Sequence, residues 1–566
     1  MTKSNSFKAA GFLLLAVFLL TPAHADAFQK TSEADKQAQK GAEYLARKDW
    51  NRAADSYQKA VRADARHVEA NYGLGVAYMN LRRPNEALTA FSNVIAAQPN
   101  PRAKDAYGNT GLIQFALGHY NEAAEALKLA AALGDIGTAG HYFLGKAYQQ
   151  VGRDADALAA LRKATDDPQY AADANFSVGF LLLKQNQPRE AVAPLEQAVR
   201  LGAQPVAVVQ MLLGNAYLAV ERPEEALTAL RAADPNQFYT QLGFGFAHLS
   251  LNHGEEAVAS FNAALRLQPA APEALTGLGN AQTRLLRYRE AEDAFARALA
   301  IKPDSAEALM GQAVLQYYQG HYQNLVETAQ QAVRVAPQNA GAQTLLGAAL
   351  ATTGDMAGGM RATREAVRLE PENFWPHHVL GFIHVREDRP KEALTEARAA
   401  VRIKPNDPGT QNLLAYVLNQ LGQHAEALQA AQAALQYKHE PADEGWAYYN
   451  IATAQEKLGR AEESKTSYTA AIRAYNQTGR TLDPDDLYLM GNAYLRLEQD
   501  PAAVKAFQQA IKVRPDFPQA RYNLGVAYFT AGNRKGAQDE YNVLRRLDPT
   551  RAAKLQAIIS GKPGRK

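Results

Sequence analysis

"YGLGVAY" occupies Tyr72–Tyr78, and "YNLGVAY" occupies Tyr522–Tyr528. Six of the seven letters agree across most of the chain. A segment copied once would explain this, and so would a unit repeated all the way between, but only the second fixes a spacing. Equivalents of the "GVAY" glycine fall at Gly41, Gly75, Gly111, Gly145, Gly179, Gly214, Gly245, Gly279, Gly347, Gly381, Gly491 and Gly525, with alanine in its place at Ala313, Ala415 and Ala452. Nine of the fourteen spacings are 34 residues, so one unit is written fifteen times, end to end.

Each unit has the same internal grammar. Alanine stands twelve past the anchor in twelve units, as at Ala53 and Ala226, and nineteen past it in thirteen, as at Ala60 and Ala510. A large apolar residue usually stands sixteen past it: Tyr57, Phe91, Leu195, Phe295, Phe507. Proline often stands twenty-four past it, as at Pro99, Pro303 and Pro515. Apolar positions recur at intervals of three and four, which predicts two amphipathic helices per unit. Gly118, Gly152, Gly320 and Gly422, seven past the anchor, let the first helix stop. Elsewhere Pro84, Pro188 and Pro223 suit the first position of the second helix, and Glu86, Glu190 and Glu225 favour its positive end.

The anchor glycine, the aromatic residue three on (Tyr44, Tyr78, Tyr148, Tyr217, Tyr494, Tyr528), the two alanines and the proline together resemble the tetratricopeptide repeat. The resemblance runs from about Glu33 to Pro549. It implies an all-α fold: a right-handed superhelical solenoid of helix-turn-helix repeats, its concave groove lined by first helices. "TRAAKLQAIIS" (Thr550–Ser560) reads as a C-terminal capping helix over the last repeat's apolar face.

Residues 1–25 read differently. Lys3 and Lys8 precede an apolar run, Ala9–Leu20, which Thr21 and Pro22 end before "AHA" at Ala23–Ala25. This is the pattern of a signal peptide cleaved after Ala25. Twelve helical residues rise about 18 Å, too little for a bilayer's hydrocarbon layer. The mature chain is expected to be exported, most readily to a bacterial periplasm, and not to span a membrane. Lys plus Arg number 61 and Asp plus Glu 58, so no basic excess points to nucleic acid. Cysteine is absent, which excludes disulfides, thiol catalysis and cysteine metal sites.

Departures from the period suggest divisions. The unit shrinks between Gly214 and Gly245 and lengthens around "KHEPADEGW" and "YNQTGRTLDPDD". The expected parts are a signal peptide (1–25), an N-terminal solenoid (26–237), a middle part (238–440), a C-terminal part (441–549), and a cap with basic tail (550–566). Small residues at the filler position (Ala329, Thr363, Ala397, Ala431) and glycines in "GDMAGGM" mark Ala313–Gln436 as the expected weakest stretch.

No phosphate-binding loop, HExxH or GxSxG motif occurs. His377, His378 and His384 lack a further ligand at suitable spacing, and His384 takes a core tyrosine's place. "DPDD" at Asp483–Asp486 reads as a helix cap. The chain is therefore expected to be a non-enzymatic scaffold with no catalytic residue, cofactor or metal. In the resembled family the inward face comprises residues six, three and two before the anchor and one, four and five after it. Lysine and arginine are absent at six and three before the anchor, so the family's carboxylate clamp is missing. Tyrosine and asparagine concentrate instead in the last three units: Tyr449, Asn450, Tyr488, Asn492, Tyr522 and Asn523, with Trp446 one turn before Tyr449. Asparagine can pair with any peptide backbone, and aromatic rings add flat apolar contact. These seven residues are the expected partner-binding strip, for an extended peptide or partner protein of an envelope complex. A glycan is the alternative ligand, because sugars use the same two groups. The competing reading makes the same residues wedges between repeats.

Overall fold

The computed structural model describes residues 32–97, 100–437 and 440–561. The expected signal peptide, Pro99 and the end of the basic tail lie outside the described residues. Among the described residues the chain forms 31 α-helices, two for each of fifteen repeats and one beyond them.

The anchor is explained by what lies opposite it. A Cβ built on Gly75 would stand 2.7 Å from the Phe91 ring, and one on Gly279 2.8 Å from Phe295. Both rings lie sixteen residues past their anchors and are fully buried. The missing Cβ lets the first helix close on the second, and the ring fills the space between them. Cutting such a ring back to alanine costs about 3–5 kcal/mol.

The turn between the two helices is more uniform than the sequence suggests. The residue seven past the anchor has positive φ in every repeat, yet eight of these residues carry a side chain: Lys48, Arg82, Asn186, Glu221, Asn252, Leu286, Asp388 and Glu498. The next residue often stabilises the turn. Arg83 lies 4.6 Å from the centre of the Tyr78 ring and donates to Glu86 at 2.8 Å. Arg153 with Tyr148 and Asp156, and Arg222 with Tyr217 and Glu225, repeat the arrangement. The aromatic residue three past the anchor thus roofs the turn through a cation–π contact.

The chain divides into two compact units, the first ending at Ala247 and the second beginning at His248. The shortened repeat ends in Pro223–Arg231, a helix of only 9 residues. The other expected cut, at 440/441, separates no compact unit: His424–Gln436 packs on Pro441–Lys457 within unit 2. The lengthened repeats also differ from expectation. Pro441–Lys457 and Ala461–Gln477 are 17 residues each, so much of the added sequence is helix rather than loop. Pro441 at the first position and Asp443 and Glu444 in the first turn favour that start. Only residues 478–483 remain as an extra connection.

In the expected weak stretch, Ala329, Thr363, Ala397 and Ala431 are completely buried. A Cβ on Gly359 would lie 2.8 Å from the Gly347 carbonyl oxygen. Closer helix approach compensates for the small residues, so they do not imply voids. At the end of the chain, Leu555 of the helix Pro549–Ile559 sits 2.4 Å from where a Gly525 Cβ would be. With Leu544 and Ala552 it forms the last apolar cluster, as a capping helix should.

Within each unit, first helices touch one another: Ala103–Ala116 meets Gly137–Gln150, Ala171–Lys184 meets Val206–Ala219, and Pro408–Gln420 meets Pro441–Lys457. No successive second helices pack to that extent. First helices therefore form the crowded inner wall of each unit.

Candidate partner-binding surfaces

The seven expected strip residues fall into two groups. Trp446 is 8 % exposed and packs into the core with Leu413, Tyr475 and Leu489. Asn450 is 0 % exposed, and its amide donates to the Asn412 carbonyl of the preceding repeat at 3.0 Å. These two do not lie on an open wall. Their inward offset places them under the neighbouring helix because the lengthened repeat packs its first helix tightly.

Of the other five, Asn492 is buried and the rest are half-buried, and four of the five are linked. Asn492 donates to the Tyr449 hydroxyl at 3.3 Å, and Asn523 donates to Asn492 Oδ1 at 2.6 Å and faces the Tyr488 hydroxyl at 3.5 Å. Tyr522 packs beside the capping helix. The residues thus form a continuous strip, but their amides are directed at neighbouring repeats. Asn109 donating to the Tyr72 hydroxyl at 3.2 Å is the same interlock in unit 1. Tyr142 likewise donates to Asp173 of the next repeat at 2.8 Å.

Unit 2 holds a second arrangement that the sequence did not announce. Residues 478–483 and the start of Pro484–Arg496 cross its inner wall and meet helices more than a hundred positions earlier. Tyr317 donates to Asp483 at 2.7 Å, Tyr318 donates to Glu440 at 2.8 Å, and the Thr481 amide donates to the Tyr318 carbonyl at 3.1 Å. Asp483 also caps its helix, accepting from the Asp485 and Asp486 amides, as expected of "DPDD". Asp485 lies between two arginines. Arg514, 1 % exposed, reaches its two oxygens at 3.1 and 2.6 Å and donates Nε to the Thr352 carbonyl. Arg386 pairs with the same carboxylate. Burial alone would raise the Asp485 carboxyl, but the two guanidiniums outweigh it and hold it well below the usual range. The local pattern legible in sequence was the cap; Arg514 belongs to the same repeat, whereas Tyr317, Thr352 and Arg386 come from distant repeats that no spacing rule reports.

Around this clasp lies a cavity of about 290 Å³, lined by aromatic and charged side chains that include Tyr317, Phe382, Trp446, Arg386, Arg480 and Asp443. Burial, then Glu440, pushes the Asp443 carboxyl up to about 6. Burial likewise pushes the His378 imidazole down. His377 pairs with Glu396 at 2.6 Å and His384 is buried at the tyrosine position. Among the described residues no group of His, Asp and Glu is arranged to hold a metal.

Unit 1 presents a different inner wall. Phe180, Val208 and Tyr239 are 40 %, 38 % and 59 % exposed. They sit one after or six before their anchors, on three successive first helices. Phe176, Met211, Leu212 and Leu242, also at inward offsets, are half-buried beside them. The offset rule names all of these positions. Aliphatic and phenylalanine side chains at these offsets carry no sequence signal that separates an open wall from core packing.

Such stacked helix pairs, with first helices on the inner walls, define a repeat scaffold for protein interaction. Tetratricopeptide repeat family models match residues 44–109, 179–238, 242–306, 310–374, 380–445 and 447–478, and a TPR repeat model matches 491–532. The chain belongs to the tetratricopeptide repeat family. No curated protein sequence matches it significantly. Among solved structures it is similar to a chain in the crystal structure of the APC/C hetero-tetramer Cut9-Hcn1. The identity is 13 % and the TM-score 0.48, over 88 % of this chain and 96 % of that one. No helix among the described residues is long and apolar enough to cross a membrane.

Proposed function

We propose that this chain is an exported, non-enzymatic scaffold of the bacterial envelope that captures an extended apolar segment of a partner protein on the inner wall of unit 1. The observation that carries the reading is the run of exposed Phe180, Val208 and Tyr239 on three successive first helices. Isolated exposed apolar residues are ordinary, but a set at inner-face positions of successive repeats suits a binding surface. The apolar run before "AHA" supports export. The glycan alternative draws less support, because the Asn492 and Asn523 amides it would use already donate to neighbouring repeats.

The triple variant Phe180→Ser, Val208→Ser, Tyr239→Ser tests the reading. Co-purification of the native partner should be lost while the melting temperature changes little, since none of the three fills the core. Undiminished co-purification would refute the assignment to this wall. Sequencing the mature amino terminus tests export: Asp26 is expected, and Met1 on folded protein would contradict it.

A further inference from the structure

The near balance of 61 Lys and Arg against 58 Asp and Glu conceals a division along the chain. Residues 500–566 hold 13 of the cations and 5 of the acids, a net charge of +8. Residues 26–499 hold 46 and 53, a net charge of −7. The positive excess lies on the outside of the last repeats and the cap. Among the described residues Lys512, Arg534, Lys535, Arg545, Arg546 and Lys554 are exposed and enter no ion pair. Arg521 and Arg551, by contrast, are half-buried and paired with Glu540 and Asp548.

Four of these cations form two rows on the helix Arg534–Leu547. Eleven residues make about three turns, so Arg545 stands in line with Arg534 and Arg546 with Lys535, about 16 Å away. The buried Ala537 and Leu544 lie on the side opposite the Lys535 row. Asp539 is the one exposed acid of this helix. Lys512 and Arg546 both stand twenty-one past their anchors, so the stack sets them on the same outer side. Lys554 belongs to the cap helix, which packs on Arg534–Leu547.

Local stability does not explain this placement. Arg545 and Arg546 suit the negative end of their helix, but Arg534 and Lys535 occupy the first two positions of its positive end. Eleven past the anchor, where Glu86, Asp156 and Glu225 pair with an arginine three before, stands Gly536. Among the described second helices this is the one whose first turn holds two cations and no acid. Charge set against a helix's own dipole is stabilised when an anion approaches it.

The cations are spread over neighbouring helices rather than gathered round a cavity, so they suit many anions in a layer better than one anion in a pocket. Among the described residues no exposed large apolar side chain lies beyond Leu458, so the flat faces on which unpaired bases or sugars stack are missing. Phosphate groups displayed on a surface remain. We propose that this outer face docks on an anionic lipid bilayer, with the cations among the headgroup phosphates. The choice of lipid over duplex nucleic acid rests on the export reading; the cationic face does not, and nothing in it depends on the unit 1 wall.

Vesicle sedimentation tests this with residues 26–566, which keep every described helix and omit the apolar run Ala9–Leu20. At about 0.1 M salt the protein should bind vesicles of phosphatidylcholine containing about one-third phosphatidylglycerol, and not phosphatidylcholine alone; at about 0.5 M salt binding should be lost. The combined variant Arg534→Gln, Lys535→Gln, Arg545→Gln, Arg546→Gln should bind about a hundredfold more weakly or less, at about fivefold for each cation. Lys36→Gln, Lys40→Gln, Lys59→Gln, Arg62→Gln removes the same charge from exposed positions of the first repeat and should bind as the parent does. Thermal melts should show both variants as stable as the parent. Equal binding to phosphatidylcholine alone, binding that survives about 0.5 M salt, or equal loss in the two variants overturns the proposal. So does a large fall in the melting temperature of the first variant, which would make its four cations structural. A duplex DNA that displaces the vesicles at equal phosphate concentration overturns the lipid assignment in favour of nucleic acid. Met1 at the amino terminus of folded protein would remove the export reading without altering the vesicle result.

Discussion

Tyr317 and Asp483 are 166 positions apart in the chain and are joined by a hydrogen bond of 2.7 Å. Nearest-neighbour stacking alone would never bring them together. The connection 478–483 and the helix that follows fasten the end of unit 2 back onto repeats near its middle. Arg386, Asp485 and Arg514 are the buried centre of that fastening.

Asp485→Asn should therefore be severe. It leaves two arginines, one of them 1 % exposed, facing a neutral amide. Removing one partner of such a buried pair costs about 3–5 kcal/mol. Urea unfolding should show that loss. Amide exchange should rise in both Phe374–Arg386 and Pro484–Arg496, although they are distant in sequence. A loss below about 0.5 kcal/mol, as for an ordinary surface site, would mean that the clasp does not hold.

Asp443 gives a pH-dependent prediction of opposite sign. Its carboxyl is raised from 3.8 to about 6 on folding. Well below pH 3.8 it is protonated in both states and costs nothing. Between about pH 4 and 6 the unfolded chain ionises while the folded protein keeps the proton, so stability falls across that window and the full penalty is in place above pH 6. Asp443→Asn should gain up to about 3 kcal/mol at pH 8, at about 1.4 kcal/mol per pKa unit, and almost nothing at pH 4. An equal effect at both pH values would contradict this.

The strip in the last three repeats should prove to be an interlock. Asn492 and Asn523 donate to side chains of the repeats before them. Their double replacement by alanine should cost about 1–3 kcal/mol, with each hydrogen bond contributing about 0.5–1.5 kcal/mol. Partner capture should be retained wherever the protein remains folded. Unchanged stability with lost capture would restore these residues to the binding surface.

Two opposite substitutions probe the repeat grammar. Gly75→Ala drives a Cβ to within 2.7 Å of the Phe91 ring and should destabilise by about 1–3 kcal/mol. Glu221→Gly relieves a side chain held at φ 59° and should be neutral or stabilising by up to about 1 kcal/mol. Thermal melts decide both, and destabilisation by Glu221→Gly would contradict the left-handed turn.

The repeats were legible because each rests on local rules. The anchor, the filler sixteen residues on and the two alanines lie within one helix pair, so a single sequence displays their cause. The positive-φ turn was only half visible, since Lys48, Leu286 and Glu221 adopt it without being glycine. The clasp was invisible. Asp485 meets Arg514 within its own repeat, but Arg386 and the Thr352 carbonyl reach that pair through the winding of unit 2, and no repeat offset encodes that meeting. Trp446 and Asn450 were misplaced for a related reason. An inward offset fixes a direction, but how closely the next helix packs decides whether that direction is open.

Site-specific photocrosslinking tests the central claim most directly. A photoreactive phenylalanine analogue at position 180 or 239 of unit 1 would be activated in intact cells. Positions 129 and 133 of the same unit, also exposed and apolar at 45 % and 55 %, serve as controls away from the inner offsets. Binding on the inner wall predicts one common partner crosslinked from 180 and 239 and little from 129 and 133. Equal yields from all four positions, or none from 180 and 239, would contradict it.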